Sequence, residues 1–226
     1  MRIILASTSP RRRDILALLG LPFDVRDPDY RETSRQDLTP EAEALELARG
    51  KARSIAGGEP DALVVGGDTL IALDDEKIGK PRDSDDAASI LRRLSGRTHR
   101  IFTGVAFIDN VAGRESTHLE CVEVRMRRST EAEIAGYLAH GESMDKAGAY
   151  SIQGQGHRLI EGLRGDYLAA VGLPLRPVAE YLRNAGVEAP EDVESLYREK
   201  ALWTWNRIPM ATDAAINSTA TAPFQP

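Results

Sequence analysis

The chain has 226 residues, 42% of them hydrophobic and 28% charged, with a net charge of −6 at neutral pH. That is enough apolar content for one full core in one or two lobes, and the acidic balance argues against bulk attraction to nucleic acid or an anionic membrane. No apolar run approaches membrane-spanning length and the first residues do not read as a signal peptide, so a soluble cytoplasmic protein is expected. The first predicted unit is a strand feeding a helix. Ile3, Ile4, Leu5 and Ala6 break into Ser7, Thr8, Ser9 and Pro10, followed by Arg11, Arg12 and Arg13. Ser9 suits an N-cap, Pro10 the first helical position, and Gly20 marks the stop. Such a junction aims free backbone N–H groups and the positive end of the helix dipole at one spot. Three arginines beside it oppose the dipole unless a polyanion settles there, which reads as a phosphate cradle.

Strand and helix signals then alternate as in an α/β protein. Thr39, Pro40 and Glu41 open a helix that places Ala44, Ala48, Lys51 and Ile55 on one face, so Lys51 rides inward. Ala62 to Val65 reads as a buried strand ending in Gly66, Gly67, Asp68 and Thr69, before a second apolar run from Leu70 to Leu73. A carboxylate between two buried strands is costly without a charged partner, which marks Asp68 as functional. The hairpin turn falls instead on Asp74, Asp75 and Glu76. Lys80 and Pro81 precede a surface helix from Ser84 to Leu94 that is stopped by Gly96. Thr98 to Ile108 and Arg114 to Met126 read as a long antiparallel pair around a turn at Asp109 to Gly113. The single Cys121 lies on that second strand and is expected to pack in the core. Thr130 and Glu133 make a capping box. A glycine-bearing loop from Asp145 to Gly156 can bring backbone close to a ligand. Arg158 to Leu163 and Tyr167 to Val171 suggest another strand pair, and a helix runs from Leu175 to about Asn184. After Gly186 the character shifts to an acidic helix within Pro190 to Trp205, with Trp203 and Trp205, and then to an Ala-, Thr- and Pro-rich tail from Ala211 to Pro226 that reads as disordered.

Several chemistries are set aside. No GxxxxGK[ST] loop, GxSxG elbow or HExxH motif is present, and His99, His118, His140 and His157 are too scattered for a zinc site. What remains is a set of cations (Arg11, Arg12, Lys51, Lys80), a phosphate-cradling helix start and acids at Glu32 and Asp68. Positive groups that clamp phosphates, with a carboxylate to bind metal or activate water, suit metal-assisted phosphoryl or nucleotidyl chemistry.

ASTSPRRR from Ala6 to Arg13, GGDT from Gly66 to Thr69, GKPRD from Gly79 to Asp83 and DKAGAY from Asp145 to Tyr150 with IQG after it resemble, in content and order, the Maf family of septum-formation-inhibitor-like nucleoside triphosphate pyrophosphatases. The resemblance spans roughly residues 1–186, expected as one Maf-like catalytic domain, with 187–226 as an extension that is partly helical and then disordered. It implies an α/β fold whose mixed, largely antiparallel sheet is flanked by helices, in two lobes around a nucleotide cleft. It also implies hydrolysis of a nucleoside triphosphate to the monophosphate and pyrophosphate with a divalent cation, Mg or Mn, often by a homodimer.

By the same resemblance Asp68 is the proton acceptor that prepares the attacking water. Ser9, Arg12, Lys51 and Lys80 hold the triphosphate, and Glu32 with Asp68 holds the metal. One subfamily acts on dTTP and UTP, another on 7-methyl-GTP. The first has Arg, Thr and Gln where this chain has Arg11, Thr69 and Gln153. A glutamine amide offers both a donor and an acceptor to the imide edge of thymine or uracil. Pyrimidine nucleotides are therefore the expected substrates, with modified pyrimidine nucleotides as a variant. The alternatives are 7-methyl-GTP hydrolysis and a non-catalytic nucleotide sensor acting in cell division. Two positions depart from the family pattern: Ser151 stands where glycine is usual, and Arg31 precedes Glu32 where an acid is common.

Overall fold

A computed structural model describes residues 1–200 together with Arg207, Ile208 and Met210. Period-two alternation in β1 (Arg2–Ala6) sends Ile3 and Leu5 into one apolar cluster and Ile4 and Ala6 into another, all of them buried. The strand is thus covered on both faces. Around it runs one seven-stranded mixed sheet in the order β2 (Asp24–Arg26), β1, β3 (Ala62–Leu73), β5 (Thr98–Asp109), β6 (Arg114–Met126) and β7 (Ile160–Arg164), with β4 (Glu76–Ile78) paired to the end of β3. β1 is parallel to β2 and β3, and every other pairing is antiparallel.

One face of the sheet is covered by α2 (Pro40–Ala56). On the helix side the contact is mostly alanine: Ala48, Ala52 and Ala56 meet Ile4, Ala6, Ala62, Val64, Ala106 and Ile108 of the strands. The opposite face carries the larger core. It draws on α1 (Pro10–Ala17), α3 (Ser84–Leu94), α4 (Glu131–Leu138), α5 (Tyr167–Val171) and α6 (Leu175–Asn184), with α7 (Val193–Glu199) packed outside them. No helix among the described residues is long and apolar enough to cross a membrane.

The site follows from where β1 stops. β1 pairs with β3 from Arg2 opposite Ala62 to Ala6 opposite Gly66, whereas β3 continues to Leu73 as an antiparallel ribbon with β5 and β4. The end of a parallel strand, where its connection turns into α1, opens a crevice beside that ribbon.

Local rules set most boundaries. Ser9 caps α1 by accepting from the Arg12 N–H at 3.5 Å, with Pro10 first in the helix. Thr39 caps α2 and the Thr130–Glu133 capping box opens α4. Asp74 and Asp75 take left-handed backbone angles (φ 50° and 68°) in the β3–β4 turn, as a two-residue hairpin loop requires.

Three expectations are corrected. GGDT does not break a strand; Gly66 to Thr69 pair in unbroken register with Ala106 to Thr103, so β3 is a single strand of 12 residues. Tyr167 to Val171 is helical rather than extended, because Gly165 turns the chain (φ 115°) and the Asp166 carboxylate accepts from the N–H groups of Leu168 and Ala169, nucleating α5. Cys121, opposite Phe102, is exposed, because the apolar cluster on that side, Ala44, Ala72 and Phe102 with Leu70 and Leu119, does not include it. The readings made for Trp203, Trp205 and the tail from Ala211 to Pro226 lie outside the described residues.

A buried pair makes stability depend on pH. His99 is sealed in the core with Nε2 at 2.7 Å from the Tyr150 hydroxyl, and burial pushes its pKa down from 6.5 to about 3. The folded state prefers the neutral ring, so its stability is complete above about pH 6.5 and declines as pH falls from there toward 3. Urea unfolding of His99→Gln at pH 7, 5.5 and 4 is expected to show a shallower acid-side loss than the native chain. Parallel slopes would exclude His99 as the source.

Candidate active site

One cleft of about 840 Å³ is lined by Ser9, Arg11, Arg12, Glu32, Lys51, Asp68, Thr69, Lys80 and Gln153, so all the residues given catalytic, phosphate, metal or base-selecting roles reach the same cavity. Those residues come from α1, the loop after β2, α2, β3, the segment after β4 and the loop before β7. Arg13 is not among them. It is exposed and pairs with its neighbour Asp14, so two of the three consecutive arginines serve the cleft.

At the centre sits Lys51. Its ammonium lies 2.5 Å from Asp68 Oδ1 and 2.6 Å from Glu32 Oε1. The Lys51–Asp68 contact is buried, with 8% and 6% of the two residues exposed, while Glu32 lies at the open rim. A buried carboxylate and ammonium are tolerable together and expensive apart, which fixes both side chains in the pocket wall. Burial alone would raise the Glu32 pKa; the hydrogen bond from Lys51 and the charges of Lys51, Lys80 and Arg12 outweigh it and hold the carboxyl below its usual range.

Arg12 is the second anchor. Its Nε donates to the Gly172 carbonyl at 2.9 Å, one terminal nitrogen to Ser7 Oγ at 3.4 Å and the other to Thr69 Oγ1 at 3.1 Å. Desolvation lowers its pKa from the ordinary arginine value, against the opposing pull of Asp68. Donor counting gives the adjoining chain a direction. The buried Thr103 hydroxyl donates to the Ala169 carbonyl at 2.8 Å, so the 3.1 Å contact between Thr69 and Thr103 has Thr69 as donor. Thr69 thus receives from Arg12 and gives to Thr103. In this arrangement its hydroxyl supports Arg12.

Two supporting groups escaped sequence reading. Glu43, in the first turn of α2, is buried, accepts from the Arg35 N–H at 3.0 Å and pairs with Lys77. Lys77 in turn donates to the carbonyls of Arg35 (2.5 Å) and Leu38 (3.0 Å). This pair ties the loop that carries Glu32 to β4, which leads into Lys80. A glutamate near a helix start is expected to be exposed, so nothing local revealed it; Ser7 and Thr103 are likewise ordinary polar residues until the fold brings them to Arg12. Gly50 is the second cue that went unread. A Cβ there would lie 2.2 Å from the Tyr30 ring, so this helical glycine makes room for the loop before Glu32.

Glu32 and Asp68 converge on one positive point. Two oxygen-donor carboxylates of this kind suit a hard divalent cation, and among the described residues no group of three or more His, Cys, Asp or Glu is placed to hold one alone. Mg²⁺ or Mn²⁺ there would complete its sphere with water and substrate oxygens, as Mg²⁺ commonly does.

The Maf-like protein family model matches residues 2–185. The chain is 46% identical over 187 residues to the dTTP/UTP pyrophosphatase of Moorella thermoacetica, covering 83% of this chain and 96% of that protein. It is 47% identical over 188 residues to the protein of that name in Deinococcus radiodurans (83% and 95% covered) and 39% identical over 188 residues to that of Bacillus velezensis (83% and 98%). The cleft's residues, the sheet that presents them and these likenesses agree, and the chain belongs to the Maf-like protein family.

Proposed function

We propose that the protein is a nucleoside triphosphate pyrophosphatase that converts dTTP and UTP, modified pyrimidine nucleotides included, to the monophosphate and pyrophosphate. Residues 1–186 form the catalytic domain in this reading. What carries it is the buried Lys51 ammonium held between Asp68 and Glu32 in a cleft whose other walls present Arg11, Arg12 and Lys80. The shared name of the relatives supports the pyrimidine assignment.

The triphosphate lies against Ser9, Arg12, Lys51 and Lys80. Lys51 moves its hydrogen bonds from the carboxylates to the phosphate oxygens, which releases Asp68 to accept a proton. A water attacks the α-phosphorus as Asp68 takes that proton, the bond from the α-phosphorus to the bridging oxygen breaks, and pyrophosphate leaves with the charge. Arg12 and Lys80, already in place, neutralise it without reorganisation. Glu32 and Asp68 would hold a divalent cation, which would supply further charge stabilisation and lower the pKa of a bound water. The homodimer, the cytoplasmic location and the lack of a nucleic-acid partner belong to this reading through the family resemblance and the acidic charge.

Arg11, Thr69 and Gln153 set the base preference, Thr69 through Arg12 and the other two from the cleft wall. Pyrophosphate release with Mg²⁺ or Mn²⁺ across dTTP, UTP, CTP, GTP, ATP and 7-methyl-GTP is expected to favour the first two. Preference for 7-methyl-GTP would refute the pyrimidine assignment, and binding without turnover would make the protein a sensor. In the same panel, Arg11→Ala and Gln153→Ala are expected to cost discrimination between UTP and CTP about tenfold, roughly one lost polar contact. Equal losses on all six nucleotides would place these side chains elsewhere in the reaction.

A further inference from the structure

We propose that α7, beyond the 2–185 span of the family match, braces the catalytic cleft, and that Tyr197 is the positioning residue through which it steadies Arg12 and Thr69. The family match ends at residue 185, eight residues before α7 begins.

A continuous set of bonds runs from α7 to the cleft. The Tyr197 hydroxyl donates to Asp166 Oδ2 at 2.6 Å. Asp166 Oδ1 caps α5 by accepting from Leu168 N at 2.8 Å and Ala169 N at 3.4 Å. The other ends of the same short helix serve the site: the Ala169 carbonyl accepts from Thr103, and the Gly172 carbonyl accepts from Arg12 Nε. Apart from the bond to Ser7, the Arg12 guanidinium therefore bonds to Gly172, the residue that closes α5, and to Thr69, which reaches α5 through Thr103. A five-residue helix has little intrinsic stability and depends on its cap.

The cap depends on Tyr197. Burial raises the Asp166 pKa, opposed by the bond from Tyr197 and by the two N–H groups. Without the hydroxyl, an oxygen of the half-buried Asp166 carboxylate loses its partner, which costs more than removing both groups together. Tyr197 is itself pinned: the Arg176 guanidinium lies 3.7 Å from its ring centroid and forms two hydrogen bonds, of 2.8 and 2.9 Å, with Glu194.

The inference rests on the reading that Arg12 holds phosphate. The Tyr197 brace bears on the grip that Arg12 has on the bound triphosphate, while Lys51, Lys80 and the rest of the Arg12 charge remain to meet the leaving group. Loosening the brace therefore acts mainly on KM and leaves kcat nearly unchanged. Tyr197→Phe keeps the ring under Arg176 and removes only the hydroxyl. For UTP it is expected to raise KM about tenfold with kcat within about twofold, and to weaken calorimetric binding of inorganic tripolyphosphate by the same factor. In an Arg12→Ala background the change should add nothing, since the two residues act along one chain. Glu194→Gln, an exposed change that leaves the core intact, should show the same split at smaller size and covers the case of a poorly folded Tyr197→Phe. Unchanged KM and tripolyphosphate affinity in Tyr197→Phe, or a full tenfold effect persisting without Arg12, would overturn the brace. A native chain that binds tripolyphosphate but leaves UTP intact would instead remove the enzymatic reading, while the affinity comparison still tests the brace.

Discussion

Asp68→Asn is expected to lower UTP hydrolysis by about 10³-fold while leaving the fold intact. The substitution is nearly isosteric, and an amide oxygen can still accept from Lys51, so the buried ammonium keeps a partner there as well as Glu32. What the amide lacks is the capacity to take a proton from water. The fold should survive because Asp68 lies in the middle of β3, where its backbone pairs with Gly104 whatever its side chain does. Circular dichroism and thermal unfolding beside the rate assay separate the two contributions. A folded variant with near-native turnover would remove Asp68 from the chemistry.

Gly66→Ala is expected to cost about 3 kcal/mol of stability, at the upper end for overpacking a filled interior. A Cβ at Gly66 would sit 2.5 Å from the Ala48 carbonyl oxygen and 2.8 Å from the Ala52 nitrogen. Both are helix backbone and cannot swing aside as a flexible side chain would. A Cβ at Gly104, on the neighbouring strand, would lie at the same 2.5 Å from the Ala44 carbonyl oxygen. The two glycines and the row of alanines at 44, 48 and 52 thus let α2 lie directly on the sheet, and that contact sets the depth of Lys51. Displacing α2 should therefore also reduce activity beyond the unfolded fraction. Urea unfolding checks the first part, and turnover of the folded population in excess stabilising osmolyte checks the second. A stability loss under about 1 kcal/mol would mean that the helix stands further from the sheet than this contact requires.

The same residues show what a sequence can disclose. Ser9 and Pro10, the Thr130–Glu133 box and the two long strands around Asp109–Gly113 are local signals, and the structure follows them. The inward face of α2 and the burial of Asp68 were also legible, because helical spacing and the cost of a lone carboxylate are general. Their pairing was not, since Lys51 and Asp68 are brought together by the packing of α2 on β3. Glu32 and Lys80 joined the list on charge type alone, and Gln153 through the family resemblance rather than periodicity. Tyr167–Val171 misled because its residues are acceptable in a strand, and the deciding contacts belong to Asp166 just before it. The Glu43–Lys77 pair and the Tyr197–Asp166 bond join residues 34 and 31 positions apart, distances at which no local pattern speaks.

Attack on the α-phosphorus is tested most directly by hydrolysing UTP in ¹⁸O-labelled water and weighing both products. The account predicts one labelled oxygen in UMP and none in pyrophosphate. Label in the pyrophosphate, or release of orthophosphate and UDP, would contradict it.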